Sequence, residues 1–166
     1  MPNFQENMTE YHLQLAHGKI QAAYRGLMDY MLALKSHFQA RHPDFLVSGS
    51  LYFGYMDMTY FAVTPPGLKQ RSLKVAVVFL HEACRFEVWL GGVNKQVQAK
   101  YWNWFQQSGQ APYPLVESTR GEDAILLHTL VEEPNFDDLP ALTAAIEAQT
   151  LKFISEVEAC LQAHGQ

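Results

Sequence analysis

The apolar segments at 74–80 and 85–90 constrain the fold more than any other part of the chain. The first reads Lys74-Val75-Ala76-Val77-Val78-Phe79-Leu80 and is apolar at odd and even positions alike, which is typical of a central strand covered on both faces. The second reads Arg85-Phe86-Glu87-Val88-Trp89-Leu90 and alternates. A strand with this pattern sends Phe86, Val88 and Leu90 to one face and Arg85, Glu87 and Trp89 to the other.

The remaining elements follow from spacing and from turn residues. Apolar residues three and four apart predict a long helix from Lys19 to Ala40, and His42-Pro43 ends it because a residue before proline is disfavoured in the α conformation. Further helices are predicted over 6–16, 95–107 and 139–163, and further strands over 45–53, 57–63 and 125–131. The strands 45–53 and 57–63 are predicted to form a hairpin closed by Thr64-Pro65-Pro66-Gly67.

This order of elements, ααββββαβα, predicts an α+β fold. About five strands form a mostly antiparallel sheet, packed with helices. The chain has 166 residues and is 48% hydrophobic, which suffices for one core. Since no internal repeat or linker divides the sequence, a single domain over 1–166 is expected.

The charge and the cysteine content limit which partners and which cellular compartment can be expected. The net charge is −5, which argues against a nucleic-acid partner. Residues 1–116 carry ten Lys/Arg and seven Asp/Glu, whereas residues 117–166 carry two and ten, a pattern typical of a solvated acidic helix face. The sequence begins without a secretory signal and lacks a membrane-spanning run, so a cytoplasmic location is expected. Cys84 and Cys160 are then reduced thiols rather than a disulfide.

An aromatic run at 51–61 is the first candidate binding element. It reads Leu51-Tyr52-Phe53-Gly54-Tyr55-Met56-Asp57-Met58-Thr59-Tyr60-Phe61, with Asp57 as its single charge. Tyr52, Tyr55 and Tyr60 combine apolar rings with hydroxyl groups that seek partners, so the run is suited to a pocket in which Asp57 orients a ligand. The alternative is an amphipathic hairpin in which Asp57 makes a turn or a surface ion pair.

The strand face with Arg85, Glu87 and Trp89 is the second candidate, because Trp89 can stack on a ring and Arg85 can hold an anion. Arg85 and Glu87 can also simply neutralise each other. Lys95 and Lys100 lie on the following helix, at the rim of the predicted site, and Gly91-Gly92 precede its amino-terminal end, where backbone amides attract anions. Trp102 falls off the apolar stripe of this helix, which favours a ligand, a second packed layer or a dimer contact.

Catalytic and metal-binding patterns are weak. His37 and His42 are five apart, so a helix would send them to different faces, and His81 and Cys84 lack the further ligands that zinc requires. No metal and no cofactor are expected, and catalytic residues stay unknown. A restriction-endonuclease-like arrangement with Asp57 and Glu87 as carboxylates is an alternative, but Lys100 would have to replace the lysine missing two positions after Glu87.

The segment Tyr52-Phe53-Gly54-Tyr55-Met56-Asp57-Met58-Thr59-Tyr60-Phe61-Ala62-Val63-Thr64-Pro65-Pro66, together with 74–90 and 92–95, resembles a family of uncharacterised bacterial proteins. The resemblance covers about residues 11–105 and implies a domain of unknown function, without catalytic residues to carry over. Three functions therefore stand as hypotheses. They are a soluble domain that binds a small molecule through an aromatic and charged pocket, a homodimeric interaction module, and the relic of a metal-dependent nuclease.

Overall fold

The structure is a computed structural model that describes residues 3–117 and 124–165. Within these ranges the helices are α1 Phe4–Ala16, α2 Lys19–Arg41, α3 Pro66–Gln70, α4 Lys95–Ser108 and α5 Leu139–Ala163. The strands are β1 Leu46–Val47, β2 Met58–Thr64, β3 Leu73–Leu80, β4 Arg85–Gly92 and β5 Leu126–Val131.

The strands form one five-stranded sheet in the order β1-β2-β3-β4-β5, and each neighbouring pair is antiparallel. The predicted α+β class is therefore confirmed. The predicted strand at 45–53 contributes only Leu46–Val47 and an isolated bridge between Tyr52 and Tyr60. The short helix α3 was not predicted, and it begins at Pro66 because proline is tolerated in the first helical turn.

The core lies on one face of the sheet, which we call the inner face. Phe61, Val77 and Phe86 point into it from β2, β3 and β4, and all three are fully buried. Helices α2 and α5 cover this face, and Phe38 of α2 and Phe153 of α5 belong to the same buried cluster. This continuous apolar cluster is the main source of stability.

The opposite face of the sheet, which we call the outer face, is less buried. On β3 the inner-face positions are all buried, whereas on the outer face Lys74 is exposed, Ala76 and Leu80 are half-buried, and Val78 is buried. The position of β3 inside the sheet is as predicted, but full burial of both of its faces is wrong, because α2 and α5 pack on the inner face alone. β4 shows the predicted alternation, with Phe86, Val88 and Leu90 in the core.

Helix α1 stands apart from this core. Asn3 and Glu6 form a reciprocal capping box at its start, yet the helix contains no buried residue. Gly18, in the left-handed conformation with φ of 76°, connects it to α2. In the described ranges, none of the helices is both long and apolar enough to cross a membrane.

Candidate functional site

The outer face carries many of the predicted binding residues. The pairing register places Tyr60 opposite Val78 and Val78 opposite Glu87, whereas Trp89 lies opposite Ala76. The rings of Tyr52 and Tyr60 stack with centroids 4.9 Å apart. Tyr60 and Trp89 line a cleft of about 90 Å³ together with Lys74, Ala76 and Gly91. The structure thus brings Tyr52, Tyr60, Arg85, Glu87 and Trp89 onto one surface.

Glu87 is the centre of a hydrogen-bonded group on β4. Its carboxylate is buried and accepts hydrogen bonds from Nε of Arg85 at 2.7 Å and from Nε1 of Trp89 at 2.8 Å. Arg85 also pairs with Glu132 at 3.3 Å. The hydrogen bond to Glu87 raises the pKa of Arg85. Arg85 and Glu87 therefore neutralise each other, which is the alternative to ligand binding that the sequence left open for this pair.

Asp57 organises the turn that precedes β2. Its Oδ1 atom accepts a hydrogen bond from the backbone N–H of Tyr55 at 2.9 Å, and backbone hydrogen bonds from Tyr55 and Met58 lower the pKa of the exposed Asp57 carboxyl. Tyr55 itself is 91% exposed. Asp57 and Arg85 lie at the same end of the sheet with β3 between them. The nuclease alternative requires Asp57 and Glu87 to share an ion, but each carboxylate has its own separate partners.

Lys95 and Lys100 lie on α4, beyond the opposite end of β4, and both are exposed. The Lys100 ammonium group is 5.1 Å from the centroid of the Tyr101 ring. The amino-terminal end of α4 is already capped, since Oδ1 of Asn94 accepts from the N–H of Val97 at 2.9 Å. Gly92 serves close packing here, because a Cβ at this position would press on the backbone of α4.

Trp102 is half-buried, and its Nε1 atom donates to the carbonyl oxygen of Val116 at 2.8 Å. This contact, together with packing against the core, explains why the residue lies off the apolar stripe of α4. Of the three alternatives for Trp102, which are a ligand, a second packed layer and a dimer contact, the structure shows packing within the chain.

A larger pocket of about 550 Å³ lies on the other side of the sheet, beside the amino-terminal half of α2. Its walls come from α2, from the end of β3, from the turn that precedes β2 and the turn that follows β3, and from the connection between β5 and α5. The lining residues are mostly apolar: Ile20, Ala22, Ala23, Tyr24, Gly26, Leu27, Tyr30, Met56, Phe79, His81, Cys84, Phe136 and Leu139.

Small residues on α2 keep this pocket open. Ala22, Ala23 and Gly26 line it, and a Cβ built on Gly26 would meet no atom within 4 Å. Glycine inside a helix costs about 1 kcal/mol relative to alanine. Tyr30 also lines the pocket, and a hydrogen bond fixes its position, because its hydroxyl group lies 2.9 Å from that of Thr143 on α5. Burial raises the pKa of Tyr30.

Aromatic rings form the wall opposite α2. Phe79 lies in contact with His81 at 5.2 Å between ring centroids and with Phe136 at 6.3 Å. Tyr24 of α2 reaches this wall, and its ring stacks on that of His81 with centroids 6.1 Å apart and an angle of 24° between the planes. Such neighbouring rings hold one another in fixed orientations, so the wall is preformed.

His81 is the main polar group of this wall. Its Nε2 atom lies 2.9 Å from the hydroxyl oxygen of Thr59, which in turn donates to the carbonyl oxygen of Phe53 at 2.7 Å. Burial lowers the pKa of His81, although the charge of Asp57 acts in the opposite direction. Cys84 follows in the same turn, exposed and with a positive φ of 52°, a conformation that is uncommon for residues other than glycine.

The sequence interpretation missed this pocket as a site. The sequence places Met56 within the aromatic run, and it offers His81 and Cys84 as an incomplete set of metal ligands or an incomplete catalytic pair. The usable signal was the group of small residues Ala22, Ala23 and Gly26 on one side of a predicted helix. Phe136 and Leu139, which complete the pocket, are more than a hundred residues away from these small residues in the chain. No local pattern indicates that the two segments meet.

The prediction that His37 and His42 face different directions is wrong. Nε2 of both residues contacts the Glu147 carboxylate, at 2.6 and 2.8 Å. His42 is the C-cap of α2 and has left the helical conformation, so helical spacing does not apply to it. In the described ranges, His, Cys, Asp and Glu side chains form no group of three that could hold a metal ion.

Fold and pocket together define an α+β protein in which an antiparallel sheet is covered by helices on one face and carries an apolar pocket on that same face. The chain belongs to the family described as "Domain of unknown function (DUF7000)", whose model matches residues 4–161. No curated protein and no solved structure matches the chain.

Proposed function

We propose that this protein binds a small apolar molecule in the pocket between α2, Phe79 and Phe136. The observation that carries the proposal is the size and lining of this pocket. Its volume of about 550 Å³ falls within the range of roughly 300–1,000 Å³ that is typical of small-molecule sites. Such sites are usually apolar with a few polar groups that fix orientation, and here His81 and the tyrosine hydroxyls supply those groups.

The composition of α2 supports this proposal. Glycine in a helix is unfavourable by about 1 kcal/mol, and at Gly26 the space beside the backbone is empty. Alanine at this position would therefore make the helix more stable without a clash. A helix that keeps glycine at position 26 retains volume at the expense of stability, as expected when the volume is used for binding, and Ala22 and Ala23 add to this volume without such a cost.

The predicted site on the outer face stays a weaker candidate. Tyr60 and Trp89 are suited to stacking, and Lys74 adds a positive charge to their cleft. The cleft holds only about 90 Å³, which is too small for most ligands. Arg85 and Glu87 have already satisfied each other, so neither charge is available without cost.

A donor-free aromatic probe, 2-methoxynaphthalene, tests the proposal in a calorimetric titration. We expect saturable binding to the wild type. Gly26→Leu should weaken it at least about tenfold, because the new side chain enters the pocket. Ala33→Leu is the matched control: Ala33 is exposed on the same helix outside the pocket, and this variant should bind as the wild type does. Absence of saturable binding, or equal binding by both variants, would overturn the proposal.

The thiol of Cys84 reports on where the probe binds. Cys84 lines the pocket and is exposed, whereas Cys160 is half-buried. In a Cys160→Ser background, bound 2-methoxynaphthalene should slow the alkylation of Cys84 by iodoacetamide. An unchanged alkylation rate at saturating probe would place the probe elsewhere on the protein.

Self-association is a second candidate function. It is favoured by the outer face, where Tyr60, Trp89 and Leu127 are half-exposed beside one another. A second copy of the chain would cover this apolar surface symmetrically, as in most homodimers. Sedimentation velocity at high concentration tests this candidate. Trp89→Lys should dissociate such a dimer, and a strict monomer in the wild type removes the candidate.

For the compartment, we propose the bacterial cytoplasm. The two cysteines form no disulfide with each other, which fits a reducing environment, and the resemblance of 52–66 to bacterial proteins supports the source. Fractionation of cells that produce a tagged full chain tests the location, and recovery in an oxidising compartment would contradict it.

A further inference from the structure

His81 occupies a defined tautomer in the pocket wall, and this follows from the hydrogen bonds of Thr59. The Thr59 hydroxyl group has one hydrogen, which it donates to the carbonyl oxygen of Phe53 at 2.7 Å, since a carbonyl can only accept. Toward His81, 2.9 Å away, the hydroxyl oxygen must therefore accept. Nε2 of His81 carries the proton that it donates to Thr59.

The other ring nitrogen is then an acceptor. A neutral imidazole with its proton on Nε2 has a lone pair on Nδ1, and the lowered pKa of His81 favours this neutral form. In the part of the chain that the structure describes, Nδ1 of His81 makes no hydrogen bond. Tyr24 stacks on the ring of His81 and Phe79 meets it edge-on, so two neighbouring rings restrain its orientation.

The remaining lining restricts the charge of a ligand. Among the described lining residues there is no lysine, arginine, aspartate or glutamate. Burying an unpaired ion in such surroundings is strongly unfavourable. A neutral molecule with a flat apolar body is the form that fits between Phe79, Phe136 and the small residues of α2.

We propose that the pocket selects a neutral, planar aromatic ligand with one hydrogen-bond donor, such as a phenol or an indole, and that Nδ1 of His81 accepts this hydrogen bond. The inference rests on the proposed function, because it names the class of ligand for the same pocket. The hydroxyl or N–H group of the ligand faces His81, and its ring packs against the aromatic wall.

The test compares 2-naphthol with 2-methoxynaphthalene, which has the same ring system but no donor. For each protein the ratio of the two dissociation constants is measured by calorimetry, in the wild type and in His81→Phe, which keeps an aromatic ring and removes the acceptor. We expect the preference for 2-naphthol to fall roughly three- to tenfold in His81→Phe, the worth of one net hydrogen bond. The same ratio in both proteins overturns the assignment of His81.

The outcomes separate the two proposals. If both probes bind the wild type but the ratio of their dissociation constants is the same in His81→Phe, the proposed binding pocket is supported and the acceptor role of His81 is refuted. If 2-methoxynaphthalene does not bind the wild type at all, the proposed function itself falls.

A second measurement does not depend on the folding of the variant. Two-bond proton–nitrogen correlation spectra of the wild type report which imidazole nitrogen carries the proton. We expect Nε2 protonated in the free protein, and a shift of the Nδ1 resonance on addition of 2-naphthol that 2-methoxynaphthalene does not produce. Protonation at Nδ1 in the free protein, or an equal shift with both probes, overturns the proposal.

Discussion

Nε2 of His37 lies 2.6 Å from one carboxylate oxygen of Glu147, and this contact fastens α2 to α5. The other oxygen meets Nε2 of His42 at 2.8 Å. We expect Glu147→Gln to lower the free energy of unfolding by about 1–2 kcal/mol, because hydrogen bonds to a charged group are stronger than neutral ones. Urea denaturation measures the difference. Glu133→Gln is the control, since Glu133 is exposed, and an equal effect of both substitutions would contradict the role of the contact.

The same contact predicts a dependence on pH. Burial raises the pKa of the Glu147 carboxyl, but the hydrogen bonds from His37 and His42, together with the charges of His37 and Arg41, outweigh burial and leave the pKa below 4.5. A group with a lowered pKa in the folded state stabilises the protein fully above its unfolded pKa, and this contribution is lost as the pH falls through the folded value. The stability advantage of the wild type over Glu147→Gln should therefore shrink in acid below about pH 4.5. An advantage that grows in acid would refute this assignment.

Gly54, the one glycine in the aromatic run at 51–61, is expected to be sensitive to substitution. Its φ is 74°, and a Cβ here would overlap the carbonyl oxygen of Met58. Gly54→Ala should destabilise the protein by at least about 2 kcal/mol, because both conformational strain and overlap oppose it. Gly49→Ala is the matched control, since a Cβ at Gly49 meets no atom within 4 Å. Thermal unfolding compares the two, and equal midpoints would contradict the prediction.

Thr150 offers a stabilising substitution. Its hydroxyl oxygen is buried in α5 and has no hydrogen-bond partner in the described structure. Thr150→Val should raise the free energy of unfolding by about 0.5–1 kcal/mol, since a methyl group replaces an unsatisfied hydroxyl. Thr143→Val on the same helix should instead lower it by about 1 kcal/mol, because the buried Tyr30 hydroxyl loses its partner. Denaturant titrations measure the free energy of unfolding of each variant, and relative to the wild type the two values should change in opposite directions.

His81 predicts a second effect of pH, in a different range. Burial lowers its pKa below 6.5 in the folded state, so the unfolded chain binds the proton more readily. This contribution to stability is complete above pH 6.5 and is lost as the pH falls from there toward the folded pKa. Between about pH 8 and about pH 5, the wild type should lose stability relative to His81→Phe, which cannot take up this proton. A constant difference across this range would contradict the prediction.

The sequence predicts the sheet well because the signals for its strands are local. The alternation at 85–90 places Phe86, Val88 and Leu90 correctly, and the apolar run at 74–80 identifies a strand inside the sheet. β1 is harder to predict, since apolar residues after Phe45 suggest a full strand. Only Leu46–Val47 pair regularly, and the chain then leaves the sheet until Tyr52 meets Tyr60.

The pocket is harder to predict because it depends on contacts between distant segments. Gly26 and Phe136 share no local pattern, and only the packing of α2 against the β5–α5 connection places them around one space. Asp57 illustrates the converse case. A lone carboxylate in an aromatic run suggests a ligand, yet a hydrogen bond to a backbone amide two residues away accounts for it.

The hydrogen-bonded group on β4 has a consequence for how the sequence of this sheet can vary. Glu87 finds its partners, Arg85 and Trp89, two residues away on its own strand. A strand that carries its own counter-charge needs none from the strands beside it. The exposed outer-face side chains beside it, such as Lys74 of β3, can therefore change in size and polarity without leaving a buried ion unpaired. Relatives of this protein can diversify that surface while keeping the same sheet.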